Sequence, residues 1–167
     1  MTGAESQLHN DCETTVRMRR AAEAHDADGV LEMLSSDVVL RSPITDRVVF
    51  RGRDEVGHVL RAVFSILEDI DYFADIGDQR SRALFYRARV GKQPLEEAMR
   101  LELGHDGHVE ELTIFYRPLP GLASFAAALA PRLARRHGRI RSFLAFVLVF
   151  PLALFIRLGD RLLPWFA

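Results

Sequence analysis

Two side chains stand in positions suited to proton chemistry. His58 lies in an amphipathic helical stretch, three residues before Arg61, and Asp46 follows Ser42-Pro43 in a turn. An imidazole changes charge near neutral pH, so His58 is the best acid–base candidate of the six histidines, at positions 9, 25, 58, 105, 108 and 137. Asp46 could serve as a base at a cavity rim. A surface or capping histidine is the commoner account of His58, and a turn-forming aspartate explains Asp46 equally well. The segments "HDADG" and "HDGH" lack the ligand number and spacing of a zinc or calcium site. Cys12 is the single cysteine, which excludes an intrachain disulfide and a cysteine-based zinc site. A glycine-rich phosphate loop, a Gly-x-Ser-x-Gly elbow and a Cys–His pair are all missing from the sequence. No metal and no cofactor is therefore expected.

The elements that must position these residues follow from periodicity. "TTVRMRRAAEAHDADGVLEMLSSD" reads as helix, turn, helix, with Asp26 or Asp28 capping the second helix and "SSD" stopping it. "DVVLRSP" and "RVVFRG" read as strands, ended by Pro43 and Gly52. Val56, Val59, Leu60, Val63, Phe64 and Leu67 share one face of a third helix. Four strand-like runs follow. Ile70, Tyr72, Ala74 and Ile76 are placed on one side of the first, and Leu84, Tyr86, Ala88 and Val90 on one side of the second. Met99, Leu101 and Leu103 share a face of the third, and Leu112, Ile114 and Tyr116 a face of the fourth. Asp106-Gly107 marks a hairpin between the last two. The order α-α-β-β-α-β-β-β-β predicts an α+β fold with one sheet face packed on helices. The other face carries both arginines and glutamates, which suits cross-strand pairing, a homodimer contact or, equally, a plain solvated face.

This order, with "AHDADGVLEMLSSDVVLRSP" early and "LELGHDGHVEELTIFYRPLP" late, resembles the nuclear transport factor 2-like superfamily, in particular its SnoaL-like bacterial branch, over about residues 14–120. The resemblance implies a cone-shaped, curved antiparallel sheet on N-terminal helices, enclosing a mostly apolar pocket, and often a dimer. It does not settle function, because the fold hosts enzymes and non-catalytic binders alike. Ketosteroid isomerases of this kind use a tyrosine, an aspartate base and an aspartic acid; the matching positions are Met18, Ser42 and Met99, which move no proton. Limonene-epoxide hydrolases use an Arg-x-Asp pair and a second aspartate; the nearest match is Arg87-Ala88-Arg89 with Ile114, and both carboxylates are missing.

The resemblance leaves a pocket walled by Met18, Ser42, Leu84, Tyr86, Met99, Leu101, Leu112, Ile114 and Tyr116, suited to a lipid-, steroid- or polyketide-like molecule. A solid core without a cavity is the alternative. Three functions stay open: binding of a hydrophobic small molecule, SnoaL-like isomerase, cyclase or hydrolase activity, and a non-catalytic interaction module.

Domain boundaries are expected at residues 1–12 (disordered), 13–120 (the domain) and 121–167 (a basic, then hydrophobic, helical extension). The extension holds seven arginines and one acid, Asp160, whereas residues 1–120 carry 22 of the 23 acidic residues. Arg135, Arg136, Arg139 and Arg141 precede fourteen uncharged residues, Phe143–Ile156, which contain Phe146 and Phe150; Trp165 follows. Fourteen helical residues span about 21 Å, short of a hydrocarbon core of about 30 Å. Pro151 and Asp160 count further against a span. Arginines at anionic headgroups, phenylalanines at the acyl boundary and Trp165 at the interface describe a peripheral anchor. Packing on the domain or a dimer partner, and a lid over the pocket, are the other two placements. The acidic body argues against nucleic-acid binding. The polar N-terminus carries no secretory signal, and among 22 basic residues only Lys92 is lysine, a bias of GC-rich bacterial coding. The expected place is the bacterial cytoplasm, peripheral on the inner membrane.

Overall fold

The computed structural model describes residues 12–134. Expectations for residues 1–11 and 135–167, including Arg135, Arg136, Arg139, Arg141, Phe143, Phe146, Phe150 and Trp165, lie outside the described residues. The elements are α1 Glu13–Glu23, α2 Ala27–Glu32, β1 Leu34–Arg41, β2 Val49–Arg51, α3 Gly52–Phe64, β3 Glu68–Gly77, β4 Ser81–Val90, β5 Gln93–Leu103, β6 Val109–Arg117 and α4 Leu119–Ala134. The strands form one open sheet in the order β2-β1-β6-β5-β4-β3. It is mixed: β1 runs parallel to β6, and the other neighbours are antiparallel.

Local chemistry explains the boundaries. The Asp26 carboxylate accepts the Gly29 N–H at 2.9 Å and so caps α2. Gly107 takes φ +79° in the β5–β6 turn, where the Asp106 side chain accepts the His108 N–H. The strand after α2 starts at Leu34, ahead of the "SSD" stop, because Leu34 already pairs with Val109; a register shift between Leu34 and Val39 takes up the extra residues of β1.

A second bulge, between Tyr72 and Ala74 of β3, corrects the simple alternation. It keeps Tyr72 buried, turns Ile76 out to 64% exposure and turns Asp75 inward. There Asp75 meets Arg82 of β4 at 2.7 Å, both side chains being buried, and accepts the Thr15 hydroxyl of α1 at 2.6 Å. This contact ties α1 to the outer hairpin of the sheet.

On the opposite sheet face the charges pair within the chain. Arg41 and Arg100 reach Glu111, and Arg87 and Arg117 reach Glu96.

The core lies between the inner sheet face and the helices, around the fully buried Leu34, Val38, Val56, Leu84, Leu101 and Leu112. Its boundary differs from the one expected at residue 120. Helix α4 packs on β4, β5, β6 and α3, and buries Phe125 and Leu129 in the same core. An apolar helix following the last strand covers sheet that would otherwise face water, so residues 119–134 belong to the domain. Among the described residues, no helix is long and apolar enough to cross a membrane.

Candidate functional site

Strand register creates a row that no single strand reveals. Tyr72 of β3 pairs with Tyr86 of β4, Tyr86 with Glu97 of β5, and Glu97 with Tyr116 of β6. Residues directly opposite on neighbouring strands share a face. Three tyrosines and one glutamate thus lie side by side across the inner sheet face.

All four line a cavity of about 430 Å³. Met18 and Ala22 of α1, Leu60 and Phe64 of α3, and Phe125 and Leu129 of α4 wall it opposite and beside the sheet. The loop 42–48 closes one side with Ser42, Ile44 and Val48; Ile44 and Val48 are also exposed to solvent. The walls are apolar apart from the row and the loop hydroxyls of Ser42 and Thr45.

Glu97 is the one ionisable acid or base among the described lining residues, the tyrosines aside, and it is 3% exposed. The Tyr86 hydroxyl donates to Glu97 Oε2 in a short hydrogen bond, and the Tyr116 hydroxyl bonds the same carboxyl. Burial disfavours the charged carboxylate and lifts its pKa to about 7, outweighing the two phenol hydrogen bonds, which pull it down. Burial, reinforced by the Glu97 charge, likewise raises the Tyr72, Tyr86 and Tyr116 phenols. The rings are tilted against one another: Tyr72 and Tyr86 lie 5.0 Å apart at 53°, and Tyr116 and Phe125 lie 4.6 Å apart at 56°.

The residues expected at the pocket divide. Met18, Ser42, Tyr86, Met99, Leu112, Ile114 and Tyr116 line the cavity. Leu84 and Leu101 do not: they share the inward phase but lie further along their strands, at 0% exposure, packed into solid core. His58 sits half-buried on α3 and does not line the cavity, although its neighbours Val59 and Leu60 do. One residue along a helix is a rotation of about 100°, which turns the imidazole away. Asp46 is exposed at the loop turn, off the cavity wall, near Arg41. Arg87 and Arg89 are exposed and ion-paired to Glu96 and to Glu68 and Asp69.

Met18, Ser42 and Met99, matched to the isomerase residues, are on the wall without an ionisable group. The cavity nevertheless has a group that can move a proton, in Glu97. Its signal was in the sequence: Glu97 falls in phase with Leu95, Met99, Leu101 and Leu103, a carboxylate on the apolar side of a strand. No group of three or more histidines, cysteines or acids able to hold a metal occurs among the described residues.

Solved structures share this architecture. A steroid delta-isomerase from Pseudomonas aeruginosa is 27% identical, the match covering 74% of this chain and 90% of that one, with a TM-score of 0.68. A nuclear transport factor 2-like protein from Mesorhizobium loti is 13% identical over 64% of this chain and 89% of its own, with a TM-score of 0.57. The fold is nuclear transport factor 2-like. A SnoaL-like protein from Burkholderia thailandensis, 19% identical over 62% of this chain and 92% of its own, gives a TM-score of 0.54. No family model matches the sequence, and no curated protein matches it. Fold alone does not fix what the cavity does; here its polar content is the Tyr–Tyr–Glu–Tyr row with the Ser42 and Thr45 hydroxyls.

Proposed function

We propose that this nuclear transport factor 2-like chain binds a mostly apolar small molecule in the 430 Å³ cavity, with the molecule's one polar group against Glu97. The cavity carries this reading. Its volume lies in the range of small-molecule sites, and it combines apolar walls with a few convergent polar groups. The likeness to a steroid delta-isomerase supports a ligand of that apolar character. A neutral dye, Nile red, titrated into the full chain tests it. Ala130→Trp places an indole in the cavity from α4. The variant is expected to weaken dye binding about tenfold or more, while unchanged binding would move the site elsewhere.

Glu97 favours a second reading, proton transfer on the bound molecule. A carboxyl with pKa about 7 is present in both protonation states at neutral pH, as a general acid–base group requires. Turnover of an added apolar substrate should then vanish in Glu97→Gln with binding retained.

The arginine-led tail adds peripheral membrane attachment to the proposal, resting on sequence alone. Flotation with anionic liposomes should be lost when Arg135, Arg136, Arg139 and Arg141 are all changed to Gln.

A further inference from the structure

The two phenols flanking Glu97 are directed at its carboxyl. Tyr86 gives its hydroxyl hydrogen to Glu97 Oε2, and Tyr116 bonds the same carboxyl. A phenol has one hydrogen to give. Beside the Tyr72 hydroxyl, this end of the cavity offers lone pairs, on the carboxylate and the phenol oxygens, and aromatic rings. No arginine, lysine or histidine is among the described lining residues. Among the described residues the carboxylate therefore has no cation to meet.

We propose that the ligand carries a positively charged nitrogen, a protonated or quaternary amine on an otherwise apolar frame, seated between Glu97 and the rings of Tyr86 and Tyr116. This rests on the binding reading above and names its ligand class. Three points carry it. An ammonium supplies the missing countercharge, and a charge-assisted bond to a buried carboxylate is stronger than a neutral one. The neighbouring rings present negative faces to a desolvated cation. Against the ionised carboxylate a neutral carbonyl brings no hydrogen, and an anion would face Glu97 uncompensated. The other cavity hydroxyls near the loop, Ser42 and Thr45, accept backbone N–H groups of Ile44 and Arg47.

The groups facing Glu97 are few. β4 and β6 contribute Tyr86 and Tyr116, and β3 contributes Tyr72, whose ring lies 5.9 Å from the Arg19 guanidinium and whose backbone N–H donates to Glu23 of α1. α3 and α4 bring only apolar side chains to the cavity.

A matched set on one rigid cage tests the proposal: adamantan-1-amine, adamantan-1-ol and adamantane-1-carboxylate, titrated calorimetrically into the full chain. At pH 8 the amine should bind about tenfold or more tighter than the alcohol, and the carboxylate weakest. The amine-to-alcohol ratio should rise roughly tenfold from pH 6 to pH 8 in the unaltered chain as Glu97 ionises. In Glu97→Gln the ratio should fall below about twofold and lose its pH dependence. An alcohol that matches the amine, or a ratio indifferent to pH, overturns the cationic ligand and leaves the binding reading in place. Failure of all three cages and of Nile red to bind removes both.

Discussion

Glu97→Gln should make the protein more stable, and increasingly so as pH rises. The folded carboxyl titrates at about 7, against an ordinary value of 4.5. Below pH 4.5 both folded and unfolded chains hold the proton, and Glu97 costs nothing. Between 4.5 and 7 the unfolded chain releases its proton first, so stability falls with pH. Above 7 the loss is complete. At 1.36 kcal/mol per pKa unit it amounts to about 3 kcal/mol. Gln is nearly isosteric, stays neutral and escapes this loss. Its altered hydrogen bonds to Tyr86 and Tyr116 add an offset, but that offset does not vary with pH. The measurement is urea unfolding of both full chains by circular dichroism at intervals from pH 5 to pH 8.5. The stability difference, variant minus parent, should climb by about 2 kcal/mol or more across the window. Every other carboxylate is common to both proteins and cancels. Parallel stability curves, or a difference that shrinks with pH, would refute the buried, cation-free Glu97 from which the site is argued.

Tyr86→Phe removes a hydrogen bond that holds the Glu97 pKa down, so the carboxyl should titrate above its present value of about 7, read from the carbon-13 shift of the labelled carboxyl. Arg82→Met leaves the buried Asp75 with only Arg19, at 3.9 Å, and should cost about 3 kcal/mol in urea unfolding, whereas Asp75→Leu with Arg82→Met should recover most of that. Phe125→Ala should cost about 3–5 kcal/mol if α4 is part of the domain core, and close to nothing if the helix were an independent extension.

How much of this was legible depended on the range of the interaction. Element order and strand faces follow from local periodicity, and the Asp26 cap and the Asp106-Gly107 turn from local side-chain chemistry. The β3 bulge is not local. One inserted residue reverses the inward phase, so alternation alone placed Ile76 inside and left Asp75 unassigned. The part played by α4 was hidden because its apolar residues run into a more strongly apolar tail, which drew the boundary to residue 120. Leu84 and Leu101 show the limit of phase as a guide: it tells which face a residue takes, but not how far along the strand the cavity extends. The Tyr–Tyr–Glu–Tyr row needs three registers at once, which a sequence does not state. Glu97 itself was visible, a carboxylate in phase with four apolar neighbours on one strand.

Two buried carboxylates among the described residues separate structure from function. Asp75 has a guanidinium at 2.7 Å and a hydroxyl at 2.6 Å, and it stands away from the cavity wall. Its charge is matched, its partners hold helix to sheet, and nothing is left over for a ligand. Glu97 has phenols in place of a cation and opens on the cavity. A core position that served packing alone would be better filled by leucine, or by glutamine if the tyrosines needed a partner, because neither carries the loss of about 3 kcal/mol above neutral pH. A carboxyl whose charge is completed only when something enters the cavity is the arrangement expected of a binding or proton-moving group. The same energetics that make Glu97→Gln a stabilising change make it the substitution that should remove the amine preference or the turnover. Proteins commonly retain such destabilising groups where a site requires them. Stability gained and ligand response lost in one variant would tie the two effects to a single side chain.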